Sequence, residues 1–313
     1  MKKNKIRHLT CDLDFSAEEI QRIFSLAEEL KEKQKRGEPH EYLKNKSLAM
    51  IFQKPSTRTR VSFEVAMTQL GGHALNLSPN ELQLSRGETI ADTARVLSRY
   101  CDAIMARVFG HQDIVDLAEN AAVPVINGLS DKFHPCQGLT DIFTVLEKRG
   151  NLKNLKMAFV GDGDNNVTNS LMLLSGRLGI DFTVACPDKY RPRPEILALA
   201  EPDIKKTGAK IKITADPAEA VKGADIVHTD VWVSMGREDK EERLKILKPY
   251  QLNSELLEKA PKGALVMHCL PAHRGEEITD EVMDGPQSVV FDQAENRLHV
   301  QKAILVFLLG AGV

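Results

Sequence analysis

Short apolar runs alternate with helical runs along almost the whole of this 313-residue chain. The segments SLAMIF, HALNL, DAIMARV and PVINGL each read as a strand. Between them lie TRTRVSFEVAMTQLGG, ETIADTARVLSRY and DIVDLAENA, whose apolar residues recur at helical spacing. Strands that alternate with helices form a parallel sheet covered on both faces, because each parallel connection needs a crossover helix. A second series starts at MAFVGDGDNN and continues through DFTVAC, AKIKIT, DIVHTDV, ALVMHCL and SVVFDQ, all read as strands. The fold class is therefore α/β, with two doubly wound parallel-sheet domains. One core of this kind rarely exceeds about 250–300 residues, so the length also asks for two. The boundary is expected near residue 150, at the polar segment NLKNLK after the helix CQGLTDIFTVLEKRG. This gives domains 1–150 and 151–313, the last helix lying at about 295–313.

The first helix carries its own start signal. Ser16 can cap it, Glu19 completes a capping box, Ile20, Ile23, Phe24, Ala27 and Leu30 form its apolar face, and Gly37 is a stop. The polar stretch 234–253 admits two readings, a solvated surface helix or a mobile lid beside a site.

Bulk properties exclude several functions. A formal net charge of -2 speaks against a nucleic-acid partner or an anionic membrane surface. No apolar run is long enough to span a bilayer. Cys11, Cys101, Cys136, Cys186 and Cys269 are odd in number and lack metal-binding spacing, which fits a reducing compartment without disulfides. The start MKKNKIRHLTCDLDFS lacks the apolar stretch of a signal peptide, so the expectation is a cytoplasmic protein.

Four motifs carry chemistry. STRTR (56–60) packs three hydroxyls and two arginines at a helix start, where unpaired N–H groups and the helix dipole favour an anion. Arg58 and Arg60 are two positions apart and point to different sides, so one of them faces the anion. Arg58 is assigned to it and Arg60 to a structural role. The bland alternative, a capped helix with solvated arginines, suits a lone STR better than this density. In HPCQ (134–137), His134 and Gln137 can converge on one carbonyl oxygen as donors. Alone, the pair reads equally as a loop histidine and a capping glutamine. HCLP (268–271) ends an apolar strand, where open α/β sheets bind ligands. A lone cysteine there is also a common small buried residue. In HTDVWVSMG (228–236), Asp230 and Ser234 can grip an ammonium group while Met235 packs on methylenes. GDGDNN (161–166) suggests a dinucleotide loop, but asparagines stand where the pyrophosphate needs glycines.

Taken in this order, STRTR, HPCQ and HCLP resemble the motifs of the aspartate/ornithine carbamoyltransferase superfamily. HTDVWVSMG and HCLP resemble its ornithine branch, and the likeness runs over nearly the whole chain. The resemblance implies two α/β domains with a C-terminal helix that crosses back to the first. It implies transfer of the carbamoyl group from carbamoyl phosphate to L-ornithine, with no metal or organic cofactor.

It also implies residue roles. Ser56, Thr57, Arg58 and Thr59 would hold the phosphate, helped by Arg107. Thr59, Arg107, His134 and Gln137 would polarise the carbonyl oxygen. Gln83, where the aspartate branch has a lysine, would reach the phosphate of a neighbouring subunit in a homotrimer. Asn166, Asp230, Ser234 and Met235 would bind ornithine. Cys269 and Leu270 would line the place where amine meets carbonyl, and Arg297 would contact carbamoyl phosphate. The alternatives are another amine acceptor (aspartate, putrescine, an acetylated ornithine) or a non-catalytic dinucleotide-binding protein built around GDGDNN.

Overall fold

The computed structural model describes residues 6–78, 82–83, 87–233 and 239–310. By its contacts the chain divides into two compact units, residues 1–139 with 296–313, and residues 140–295. This division by contacts falls inside the helix Pro135–Arg149.

The first unit opens with α1 (Ala17–Lys35). Ser16 accepts the Glu19 N–H and the Glu19 carboxylate accepts the Ser16 N–H, so the capping box forms as the sequence suggests. Four strands follow, each but the last leading into a helix: β1 (Ser47–Phe52), α2 (Thr57–Gln69), β2 (His73–Leu77), α3 (Ile90–Leu97), β3 (Ala103–Arg107), α4 (His111–Asn120) and β4 (Val125–Leu129). The helix α5 (Pro135–Arg149) then begins in this unit. The sheet is parallel with order β2-β1-β3-β4. β1 and β3 are buried on both faces, as continuous Leu, Ala, Met and Ile require.

The second unit contains β5 (Lys156–Val160), α6 (Asn166–Leu178), β6 (Asp181–Ala185), α7 (Pro194–Thr207), β7 (Ile211–Thr214), α8 (Pro217–Val221) and β8 (Ile226–Thr229). The helices α9 (Lys240–Leu247) and α10 (Ser254–Leu257), the strand β9 (Leu265–His268) and the helix α11 (Asp280–Met283) follow. This sheet is also parallel, with order β7-β6-β5-β8-β9. The last helix, α12 (Val290–Leu309), starts in the second unit, and from Asn296 onward it belongs to the first.

Two expectations need correction. SVVFDQ is not a strand. Ser288 makes a single bridge to Val266, and the chain enters α12 at Val290. Its β-branched run supplies one rung, after which the helical pattern of the following residues prevails. The polar stretch is not simply solvated either, because α9 buries Arg243 and Leu247. Among the described residues, no helix is long and apolar enough to cross a membrane.

In both sheets the order of strands reverses direction at one place, between β1 and β3 in the first and between β5 and β8 in the second. Loops that leave the carboxyl ends of two such strands diverge to opposite faces and open a crevice. The sequence puts STRTR after β1, Arg107 at the end of β3, GDGDNN after β5 and Asp230 after β8.

Candidate active site

In the first unit the site is built on α2. Ser56 caps the helix in an extended conformation, and its Oγ accepts the Thr59 N–H at 3.2 Å. The same hydroxyl lies 3.0 Å from Thr59 Oγ1. Arg297 donates from Nη2 to Thr59 Oγ1 at 2.7 Å. A hydroxyl has two lone pairs and one proton. With Ser56 and Arg297 both donating to it, Thr59 keeps its own proton for a ligand. The N–H groups of Thr57 and Arg58 lie in the first helical turn, where no intrahelical acceptor exists.

Arg58 is half-buried, and its Nε is shielded from solvent with no hydrogen-bond partner. Arg60 is exposed and donates to Glu64 one turn on, at 2.9 Å. The two arginines separate as their spacing suggests: Arg60 is committed within the helix, and Arg58 is a half-buried cation with no counter-charge among the described residues.

Arg107 closes β3 opposite Phe52, at an irregularity in the β3–β4 register, and is 8% exposed. His134 stands just before Pro135 opens α5, and its carbonyl accepts the N–H groups of Gln137 and Gly138 at 2.9 and 3.0 Å. Arg297 reaches this loop too. Its Nη1 donates to Gln137 Oε1 at 3.0 Å, and its Nη2 lies 3.4 Å from His134 Nε2. Gln137 Oε1 is thus committed to the Arg297 guanidinium. One guanidinium therefore gathers Thr59, His134 and Gln137, residues that three separate elements contribute. Gln83 is exposed and is not among the residues gathered here.

Burial, then the Arg297 and Arg107 charges, hold His134 well below the usual histidine value. It is a neutral hydrogen-bonding group, whose imidazolium form the two guanidiniums would repel. His299, further along α12, is pushed down to about 3 by burial and then by Lys302, Lys31 and His40. Both rings stay neutral in the fold, whereas the unfolded chain protonates them near 6.5. The stabilisation from keeping them neutral is complete above that value and is lost as pH falls towards the folded values, by up to about 1.4 kcal/mol per pH unit per histidine. His299→Gln is expected to lose about 2 kcal/mol less than the unmodified protein between pH 7 and 5, read from urea unfolding at each pH. Equal losses in both proteins would contradict this.

In the second unit Asn165 caps α6, its Oδ1 accepting the Thr168 N–H at 2.8 Å, and Asn166 is the first helical residue. A side chain on Gly163 would come within 2.6 Å of the Tyr190 carbonyl oxygen, and one on Gly161 within 3.3 Å of Trp232 Nε1. The space beside these glycines is thus filled by the chain itself, and Asn166, the first residue of the helix, stands where the dinucleotide pattern needs its third glycine.

Asp230 follows β8 and is 7% exposed. The thiol of Cys269, after β9, donates to Asp230 Oδ1 at 3.0 Å. Asp230, His268 and Cys269 bring donor atoms within 4.8 Å of one another. Both nitrogens of His268 already have partners, however: Nδ1 accepts the Leu270 N–H at 2.9 Å, and Nε2 faces Glu277 Oε1 at 3.0 Å. Leu270 itself has a positive φ of 58°. Ser234 and Met235 lie outside the described residues.

Several residues around this second group escape a reading by motif. Arg243 pairs with Asp162 in the interior, donates to the Trp232 carbonyl at 2.6 Å and stacks 4.3 Å from the Tyr190 ring centre. It braces the segment just past Asp230. Gln293 donates to Asp141 at 2.6 Å and accepts the His268 N–H at 3.0 Å, while His228 Nε2 lies 3.1 Å from Asp141. This network joins the ends of β8 and β9. Arg243 sits in a run of charges that looks solvated, and only its buried partners distinguish it.

Comparison with known proteins gives the family. Residues 7–147 match the aspartate/ornithine carbamoyltransferase carbamoyl-P binding domain, and residues 153–308 match the Asp/Orn binding domain. The chain belongs to the aspartate/ornithine carbamoyltransferase family. Among curated members it is 58% identical over 307 residues to an ornithine carbamoyltransferase of Pyrococcus abyssi, covering 98% of this chain and 96% of that one. It is 57% identical over 305 residues to the anabolic ornithine carbamoyltransferase of Pyrococcus furiosus, covering 97% and 96%. The solved ornithine carbamoyltransferase of Pyrococcus furiosus superimposes with a TM-score of 0.94 at 57% identity, over 98% of each chain. That of Thermus thermophilus superimposes with a TM-score of 0.87 at 42% identity, over 97% of this chain and 99% of the other.

Proposed function

We propose that this carbamoyltransferase moves the carbamoyl group of carbamoyl phosphate to the δ-amine of L-ornithine, giving L-citrulline and phosphate. The observation that carries the reading is the Arg297 guanidinium, which gathers Thr59, His134 and Gln137 beside the α2 start that holds Arg58.

The phosphoryl oxygens take the first-turn N–H groups of α2, the hydroxyls of Ser56, Thr57 and Thr59, and the guanidiniums of Arg58 and Arg107. Phosphate is the leaving group, so cations that stabilise its charge also help the carbon–oxygen bond to break. The carbonyl oxygen lies towards Gln137, His134, Thr59 and Arg107. As the neutral δ-amine attacks, the new carbon–nitrogen bond pushes the carbonyl electron pair onto that oxygen, and donors already in place meet the charge. The intermediate collapses, phosphate departs and the nitrogen releases its proton. Asp230, with Asn166, Ser234 and Met235, holds ornithine, and Cys269 and Leu270 line the nitrogen's path. Gln83 serves the phosphate site of a neighbouring copy in a homotrimer. The compartment consistent with five unpaired thiols is the cytoplasm.

The test is product formation from carbamoyl phosphate with a panel of acceptors: ornithine, aspartate, putrescine and N-acetylornithine. Citrulline from ornithine, at a kcat/KM at least about 10²-fold above the others, is expected, since the wrong acceptor leaves buried polar groups unmatched. A larger turnover with any other amine would overturn the assignment of the acceptor.

A further inference from the structure

We propose that His268 is a positioning residue for the transfer, a single-tautomer clamp that fixes the backbone of Cys269 and Leu270; the inference rests on the reading above, in which these two residues line the amine's path. His268 is fully buried at the end of β9, and so is Glu277. Glu277 Oε1 lies 3.0 Å from His268 Nε2. A carboxylate only accepts, so Nε2 carries the hydrogen. In a neutral imidazole the other nitrogen is then a bare acceptor, and Nδ1 takes the Leu270 N–H at 2.9 Å.

That hydrogen bond has a definite task. Leu270 sits at a φ of 58°, a left-handed conformation that a leucine rarely adopts. Such a conformation persists where its surroundings over-determine it, and here the constraint is the ring two residues back. Glu277 extends the clamp, for the same Oε1 accepts the His273 N–H at 2.6 Å. The loop 268–273 is thus sewn at both ends to one buried carboxylate. Its middle carries Cys269, whose thiol donates to Asp230 Oδ1. The opposite tautomer would present a hydrogen to the Leu270 N–H and a lone pair to the carboxylate, losing both contacts together. His268 touches neither substrate in this account. It acts through the peptide that joins Cys269 to Leu270.

Two side chains separate the halves of the clamp. Glutamine places its amide near the position of Nε2 and keeps a donor for Glu277, but offers nothing at Nδ1. Asparagine places its oxygen near Nδ1 and keeps the acceptor for Leu270. Pairing it with Glu277→Gln removes the carboxylate that would otherwise be buried alone. The experiment measures KM for ornithine, KM for carbamoyl phosphate and kcat for the unmodified enzyme, His268→Gln and the double variant His268→Asn/Glu277→Gln. Thermal unfolding of each shows that it is folded at the assay temperature.

His268→Gln is expected to raise KM for ornithine about 10- to 100-fold and to lower kcat, with KM for carbamoyl phosphate unchanged within a factor of about 3, as for a displacement near 1 Å at the reacting centre. The double variant is expected to recover most of that loss. If the double variant is no better than His268→Gln, or if both substrates are affected alike, the clamp is overturned. Where a variant melts too low for kinetics, alkylation of Cys269 by iodoacetamide, followed by peptide mass mapping in the cold, gives the reading. Faster alkylation in His268→Gln than in the double variant supports the clamp, and equal rates overturn it. An unmodified enzyme that forms no citrulline would instead refute the assigned reaction, so the two failures are distinguishable.

Discussion

Replacing Arg58 with alanine is expected to raise KM for carbamoyl phosphate about 10²-fold and to lower kcat by about 10²–10³, with no loss of stability. Arg58 is the second residue of α2. It is half-buried at the start of α2, its Nε is shut off from water, and among the described residues it has no carboxylate partner. This places a partly shielded cation at the positive end of a helix, an arrangement that costs free energy until an anion joins it. A doubly charged phosphoryl group relieves that cost, and the relief grows in the transition state as charge collects on the departing phosphate. Alanine removes the relief and the cost together. Thermal unfolding should therefore show an unchanged or slightly raised midpoint, the usual relation between a strained functional group and stability. Arg60→Ala is the internal control. That residue spends its guanidinium on Glu64 at the surface, and both kinetic constants should stay within a factor of about 3, since an exposed ion pair of this kind contributes about 0.5 kcal/mol. Normal saturation of Arg58→Ala by carbamoyl phosphate, or a large effect of Arg60→Ala, would reverse the assignment made at this helix start.

The second large effect is expected at Asp230. Asp230→Asn should lower kcat/KM for ornithine about 10- to 100-fold and leave KM for carbamoyl phosphate nearly unchanged. A hydrogen bond between charged partners is worth about 1.5–3 kcal/mol, and the amide keeps the shape but gives up the charge. Asp230 is almost fully buried after β8, and its Oδ1 already accepts from the Cys269 thiol. The remaining oxygen is the one available to an ammonium group. The change also tests the division of labour. The arginines proposed for carbamoyl phosphate, Arg58, Arg107 and Arg297, belong to the first unit and Asp230 to the second, so a selective loss for ornithine follows only if each unit holds its own substrate. Steady-state kinetics with each substrate varied in turn decides it. Equal loss for both substrates would show that Asp230 acts on something common to them, such as the integrity of the loop around Cys269.

The architecture was legible before any coordinates because its signals are local. Alternation of apolar strands with amphipathic helices specifies two parallel sheets, and the order of strands then places STRTR, Arg107 and Asp230 at the reversals of each sheet. The caps Ser16, Ser56 and Asn165 act on N–H groups two or three residues away, so their effect is readable in a window of a few positions.

What only the tertiary structure decided are the partners brought together across the chain. By composition and spacing Arg297 is one more basic residue near the last helix, and it is the family resemblance that assigns it to carbamoyl phosphate. The structure adds its partners, for it meets Gln137 from 160 residues away and Thr59 from 238. Arg243 lies in a charged run whose composition suggests water on all sides, yet it pairs in the interior with Asp162, 81 residues earlier. His268 and Glu277 are near in sequence, but the tautomer they fix depends on a loop that must fold back on itself. SVVFDQ misleads for a related reason, since one bridge to Val266 satisfies its strand preference before α12 takes over. Helix and strand preferences come from each residue's own backbone and near neighbours, and those the sequence states. The worth of a buried charge depends on what surrounds it, and that exists only once the chain has closed.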